Sequence, residues 1–154
     1  MPENGAPNLL EVRDLRVHFH SEDGTVKAVD GISFDLKQGE TLGIVGESGS
    51  GKTVASLSLM RLVPEPPGEI VSGSIVLRDR DVLKLSAGEL RGLRGRQVAM
   101  IFQDPMTALN PFMRVSKQLM EVTELHLGHT KAQARAHAVK MLEHVGIPDA
   151  PAAR

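Results

Sequence analysis

Polar and apolar residues alternate near the start of the chain. After Leu9-Leu10-Glu11-Val12, the residues Leu15, Val17 and Phe19 take every second position. Such alternation predicts a strand with one buried face, because successive side chains of an extended chain point to opposite sides. Asp23-Gly24 is a hairpin-turn signal, and Val26-Lys27-Ala28-Val29 and Ile32-Ser33-Phe34-Asp35-Leu36 alternate again beyond it, so an antiparallel meander is expected. Thr41-Leu42-Gly43-Ile44-Val45 is a short, nearly continuous apolar run suited to a strand buried on both faces; a glycine-rich turn over 46–51 and helix-spaced residues from Lys52 follow. Pro64, Pro66 and Pro67 end that helix, and Ser74-Ile75-Val76-Leu77 reads as a short strand. Ser86 and Glu89 have capping-box spacing, opening a short helix that Gly88 and Gly92 weaken. Gln97-Val98-Ala99-Met100-Ile101-Phe102 predicts a second buried strand, stopped at Gln103-Asp104 by Pro105.

The last third reads as helical. Val115, Leu119 and Val122 share a face, and the region of Gly128 breaks the pattern. Thr130 and Gln133 have capping-box spacing and open a further helix with Ala134, Ala138, Met141 and Val145 on one side, closed by Gly146 and Pro148.

The glycine-rich turn carries chemistry. Gly46-Glu47-Ser48-Gly49-Ser50-Gly51-Lys52-Thr53 matches the phosphate-binding P-loop pattern between a predicted strand and a predicted helix. A triphosphate needs several backbone N–H groups converging on it, and Gly49 and Gly51 leave room for that approach. Lys52 can reach the terminal phosphates, the Thr53 hydroxyl can ligate Mg²⁺, and the helix N-terminus adds a partial positive charge. In a chain with 15 Gly among 154 residues, a chance match arises on the order of once in 100 chains before the flanking elements are required.

Composition narrows the class. At 154 residues, 41% hydrophobic and 24% charged, the chain is long enough for one domain with a core and has no disorder signature. A formal net charge of −1 with scattered Lys and Arg gives no field for nucleic acid. The small cluster Arg91, Arg94 and Arg96 reads as a solvated edge. No apolar run approaches membrane-spanning length and the first residues lack a signal-peptide pattern, so a soluble, intracellular chain is expected. The absence of Cys excludes disulfides and thiolate metal sites. His137 and His144 lie two turns apart on one predicted helix side, without an apparent third metal ligand.

Three further residues have more than one reading. An apolar strand that delivers a polar residue to its end beside a P-loop strand brings that residue to the phosphates and metal, and Gln103 or Asp104 could serve. The Gln103 amide can ligate Mg²⁺ or orient a water but is no strong base, and both residues also read as a simple polar strand end. Phe19 is either the third core residue of its strand or a ring on which a base stacks.

Together, the P-loop segment and Ile101-Phe102-Gln103-Asp104-Pro105-Met106-Thr107-Ala108-Leu109-Asn110-Pro111 resemble the ATP-binding subunit of a bacterial ABC transporter, of the oligopeptide and dipeptide importer type. Leu9-Leu10-Glu11-Val12-Arg13-Asp14-Leu15 and Ala28-Val29-Asp30-Gly31-Ile32-Ser33-Phe34 extend the likeness over nearly the whole chain. The resemblance implies an α/β fold: an incomplete P-loop NTPase core with an antiparallel β subdomain over about 9–40, the core from 41 to 105, and a helical subdomain over 110–154. It makes Gly46, Glu47, Ser48, Gly49, Ser50, Gly51, Lys52 and Thr53 the Walker A loop. Gln103 becomes the Q-loop glutamine, contacting Mg²⁺ and the attacking water, and Phe19 becomes the adenine-stacking aromatic. ATP and Mg²⁺ are the implied cofactors. The implied partners are transmembrane permease subunits and a second ATP-binding subunit, with the protein peripheral at the cytoplasmic face of the bacterial cytoplasmic membrane. Residues 104–113 are implied to lie near the permease docking surface.

There are departures from the family pattern. Arg78-Asp79-Arg80-Asp81 stands where relatives commonly have a glycine turn, which questions the hairpin there. Val71-Ser72-Gly73-Ser74 only superficially echoes the family's signature. The signature motif, the Walker B strand and the switch histidine of a complete subunit are not among these 154 residues, so the chain is expected to bind Mg-ATP without hydrolysing it alone. Missing core strands are also expected to leave it poorly stable, because a P-loop strand needs neighbours on both sides. The alternatives are a non-hydrolysing interaction module and another P-loop kinase or GTPase, although the guanine-recognition pattern Asn-Lys-x-Asp is absent.

Overall fold

The computed structural model describes residues 7–103 and 109–148, so the readings placed on Asp104 and the rest of 104–108 lie outside the described residues. The chain divides into two compact units, Met1–Leu90 and Arg91–Arg154.

The first unit is built on an antiparallel sheet of order β2-β1-β3-β4. Strand β1 (Asn8–Ser21) and strand β2 (Gly24–Lys37) form one long hairpin, with Ser21 paired to Gly24 across the expected turn. β1 changes frame midway: Leu10 and Val12 are buried at even positions, Leu15 and Val17 at odd ones. The shift occurs at Asp14, whose φ of 42 marks a bulge between the paired positions Val12 and Leu15. An extra residue on one strand turns every later side chain to the other face, so the bulge keeps both apolar sets in one core.

β3 (Gly68–Leu77) pairs antiparallel with β1 and begins earlier than the predicted strand at Ser74. β4 (Arg80–Asp81) closes a tight hairpin on β3, Leu77 opposite Arg80, with Arg78 in the left-handed region at φ 55. The missing glycine does not prevent the turn; Arg78 takes the strained conformation instead. The core of this unit joins Val12, Leu15 and Val17 of β1 and Val29 of β2 with Ile75 of β3 and Val82. On the sheet itself, Arg13 pairs with Asp35 and Glu11, and Arg16 with Asp14 and Asp30. Hydrogen bonds donated to Asp35 and to Asp14 push the two guanidinium pKa values further up.

Helix α1 (Lys52–Ser58) follows the glycine-rich turn, and a short 3-10 turn, Val82–Lys84, leads toward helix α2 (Ala87–Leu93). The box expected at the start of α2 is present: Ser86 N and Oγ donate to Glu89 Oε2 at 2.9 and 2.7 Å.

The second unit holds helix α3 (Val115–Leu127) and helix α4 (Lys131–His144). Gly128 ends α3 in the left-handed conformation, and the Thr130 and Gln133 capping box opens α4, both as expected. The buried faces differ from the expected ones. Val122 is exposed while its neighbour Thr123 is buried, and on α4 only Ala134 and Ala138 of the expected set are buried, Met141 and Val145 being exposed. A short polar residue can replace an apolar one on a packed face when its hydroxyl is satisfied locally, and Thr123 Oγ1 donates to Met120 O at 3.0 Å.

Two strand expectations are overturned. Residues 41–47 and 99–102 have no regular structure, with Val45 93% and Ile101 95% exposed. A strand that is apolar on both faces is stable only when neighbours pair with its edges and cover its faces. Among the described residues no strand pairs with either stretch.

Candidate functional site

The site is built on β2 and the loop over 46–53, all within the first unit. Residues 46–50 are exposed, Gly51 and Lys52 half-buried and Thr53 exposed. Gly49 and Gly51 both take left-handed φ angles, 80 and 86, which glycine adopts at little cost. They differ in surroundings. A β-carbon at Gly49 would meet nothing within 4 Å, whereas one at Gly51 would overlap the Ala28 carbonyl oxygen. Gly51 is thus where the loop rests on β2, and Gly49 is where its backbone is open to a ligand.

Lys52 is anchored over the loop it ends. Its Nζ donates to Gly46 O at 2.7 Å, to Glu47 O at 2.6 Å and to Ser50 Oγ at 3.2 Å. The ammonium is therefore held at the loop's concavity. Ser50 N donates to Glu47 O at 3.3 Å, and a β-carbon at Gly46 would lie 2.7 Å from Ser50 Oγ, so the turn is tight. A hollow of about 400 Å³ lies between this loop and β2, lined by Val26, Lys27 and Ala28 on one side and by residues 49–54 on the other.

Phe19 is half-buried at the end of the inner face of β1. A β-carbon on Gly68 would lie 3.1 Å from its ring, and across the hairpin Phe19 pairs with Val26, which lines the hollow. Gln103 is exposed and belongs to the second unit. Phe19, the loop, Lys52 and Thr53 all lie in the first unit, but Phe19 is not among the residues that line the hollow. Sequence reading missed Lys27, Ala28 and Val26 as lining residues. They carry no motif, and only the cross-strand register with Phe19 and the contact with Gly51 single them out.

Among the described residues no cluster of three His, Asp or Glu is placed to hold a metal ion. The His137 ring instead meets that of His129 edge-on at 5.7 Å. No helix among the described residues is long and apolar enough to cross a membrane.

The family model described as "ABC transporter" matches residues 29–154. The chain belongs to the ABC transporter family. Within that family it is similar to the oligopeptide transport ATP-binding protein OppD of Salmonella typhimurium, 52% identical over 142 residues, covering 92% of this chain and 42% of that protein. OppD of Bacillus subtilis is 50% identical, covering 91% of this chain and 39% of the relative. The dipeptide transport ATP-binding protein DppD of Escherichia coli is 49% identical, with 95% and 44% covered. The chain thus spans about two fifths of the length of these curated relatives. The ABC cassette fold is supported separately: a dimeric bacterial ABC transporter cassette aligns with a TM-score of 0.73 at 18% identity, covering 87% of this chain and 56% of that one.

Proposed function

We propose that this chain is the nucleotide-binding part of an ATP-binding subunit that energises peptide import, with Mg-ATP held on the loop over 46–53. The observation that carries this reading is the pairing of Gly51 with β2 and of Lys52 with the loop carbonyls. It leaves the backbone at Gly49 open beneath a positioned cation, which suits a polyphosphate. Gly46, Glu47, Ser48, Gly49 and Gly51 offer backbone N–H groups to the phosphates, the Ser50 N–H being engaged by Glu47 O, while Lys52 neutralises their charge and holds them in place. Within the first unit the Thr53 hydroxyl is the group that would hold Mg²⁺, which would supply charge neutralisation at the phosphates when bound. Phe19 and its cross-strand partner Val26 offer the apolar wall for adenine.

On the same reading the chain is one partial ATP-binding domain. It works with membrane permease subunits and a second ATP-binding subunit, peripheral at the cytoplasmic face of the membrane. Similarity to OppD and DppD supports peptides as the solute class. Hydrolysis requires the complete assembly, in which Gln103 orients the water without acting as its base.

The test is a calorimetric titration of the chain with Mg-ATP. Wild type is expected to bind and Lys52→Ala to lose at least tenfold in affinity; equal binding by both would overturn the assignment. Turnover by the purified chain well above background would refute the claim that it does not hydrolyse alone.

A further inference from the structure

A second hollow, of about 370 Å³, lies in the first unit and shares no lining residue with the one beside the loop. Pro7, Asn8, Leu9, Gln38, Arg78 and Asp79 line it. It lies where the β3 to β4 turn meets the start of β1, since Arg78 N donates to Leu9 O at 2.7 Å and Leu10 pairs with Leu77. Its volume is at the lower end for a small-molecule site.

The charges that line it are not used by the fold. The turn carries Arg78-Asp79-Arg80-Asp81. Its last two members are committed: Arg80 is 2.7 Å from Glu89 Oε1, and Asp81 is 3.0 Å from Lys84 Nζ and accepts from Leu83 N. Its first two are not. Among the described residues the side chains of Gln38, Arg78 and Asp79 have no hydrogen-bond or ion-pair partner, and Arg78 and Asp79, although neighbours in the chain, do not pair with each other. Arg78 also holds a left-handed φ of 55, a conformation that costs an L-residue free energy and gathers at ligand sites.

This lining selects a class of ligand. A simple anion drawn to Arg78 is repelled by the Asp79 carboxylate, and a simple cation meets the reverse. A molecule that carries both charges satisfies the two. We propose that the hollow is a site for a free α-amino acid or short peptide, with its carboxylate on the Arg78 guanidinium, its ammonium on the Asp79 carboxylate and an aliphatic side chain against Pro7 and Leu9. The guanidinium fork matches a carboxylate, and the Gln38 amide has a donor and an acceptor to offer either end. Both ion pairs are exposed, so each adds a small factor and the affinity is expected near about 1 mM. The site is independent of the nucleotide-binding reading of the loop.

The experiment follows the backbone amide NMR signals of the chain during titration with L-leucine, leucyl-leucine, N-acetyl-leucine and leucinamide. Leucine or leucyl-leucine is expected to shift the signals of Asn8, Leu9, Gln38, Arg78 and Asp79 and to saturate, the tighter of the two showing whether a free amino acid or a peptide fits. Each blocked analogue lacks one charge and is expected to bind about three- to fivefold more weakly than leucine. Arg78→Gln should bind leucine no better than leucinamide, and Asp79→Asn no better than N-acetyl-leucine, while signals away from the hollow keep their wild-type positions. N-acetyl-leucine binding as tightly as leucine would make this a plain anion site, and leucinamide doing so a plain cation site; either overturns the proposal. Shifts that do not saturate by about 50 mM, or that spread evenly over the surface, would leave the hollow to water.

Discussion

Gly51 and Ala28 touch through their backbones: a β-carbon on Gly51 would overlap the Ala28 carbonyl oxygen, and Gly51 holds a φ of 86. Two restrictions therefore coincide at the last glycine of the loop. Gly51→Ala is expected to push the loop off β2, destabilise the protein by about 2–4 kcal/mol and abolish measurable Mg-ATP binding. A thermal melt beside a nucleotide titration checks this, and an unchanged melt would show that the loop does not lean on the strand.

Gly73 of β3 faces the bulge of β1. A β-carbon there would lie 2.7 Å from Arg13 O and Leu15 Cα and 2.8 Å from Asp14 O, at a φ of 106. Backbone on both sides leaves no flexible neighbour to yield. Gly73→Ala is expected to cost about 3 kcal/mol in a urea titration; a loss below about 1 kcal/mol would mean the bulge moves freely.

Arg78 offers the opposite case. It holds φ 55 at the β3 to β4 turn, where its backbone N–H donates to Leu9 O at 2.7 Å. Arg78→Gly keeps that bond and removes the strain of a left-handed L-residue, partly offset by the greater freedom of glycine when unfolded. Stability is expected to rise by about 0.5–1 kcal/mol, read as a higher urea midpoint, and a lower midpoint would contradict the account.

Glu89 closes its box with a lowered pKa, chiefly through the hydrogen bond from the Ser86 hydroxyl, then that from the Ser86 N–H, with Arg80 adding to it. A carboxylate lowered on folding stabilises above its unfolded value of 4.5, and the contribution disappears as pH falls through the folded value. The stability difference between wild type and Glu89→Gln should therefore be present at neutral pH and vanish in acid. In a carboxyl NMR titration, Ser86→Ala should move the Glu89 midpoint up toward 4.5. A midpoint unmoved by Ser86→Ala would assign the shift to the Ser86 N–H, which alanine keeps, and to Arg80.

Motif and periodicity made much of the site legible. The loop over 46–53 was readable because phosphate-type loops demand glycines at fixed spacing, and the two capping boxes because each is closed within four residues. Val26 and Ala28 were not, since a residue of an alternating strand carries no motif until the tertiary structure sets it beside the loop.

The sequence by itself determined the β1 to β2 hairpin, the loop, the starts of α2 and α4 and the likeness to the ABC transporter family, because each of these rests on contacts or spacing local in the chain. Only the tertiary structure decided the rest. It set the frame change at Asp14, brought β3 into the sheet from Gly68, buried Thr123 in place of Val122, and left residues 41–47 and 99–102 without a strand. These depend on which distant backbone pairs with which. An apolar run states that it wants neighbours without naming them, and a strand exists only where those neighbours supply its hydrogen bonds.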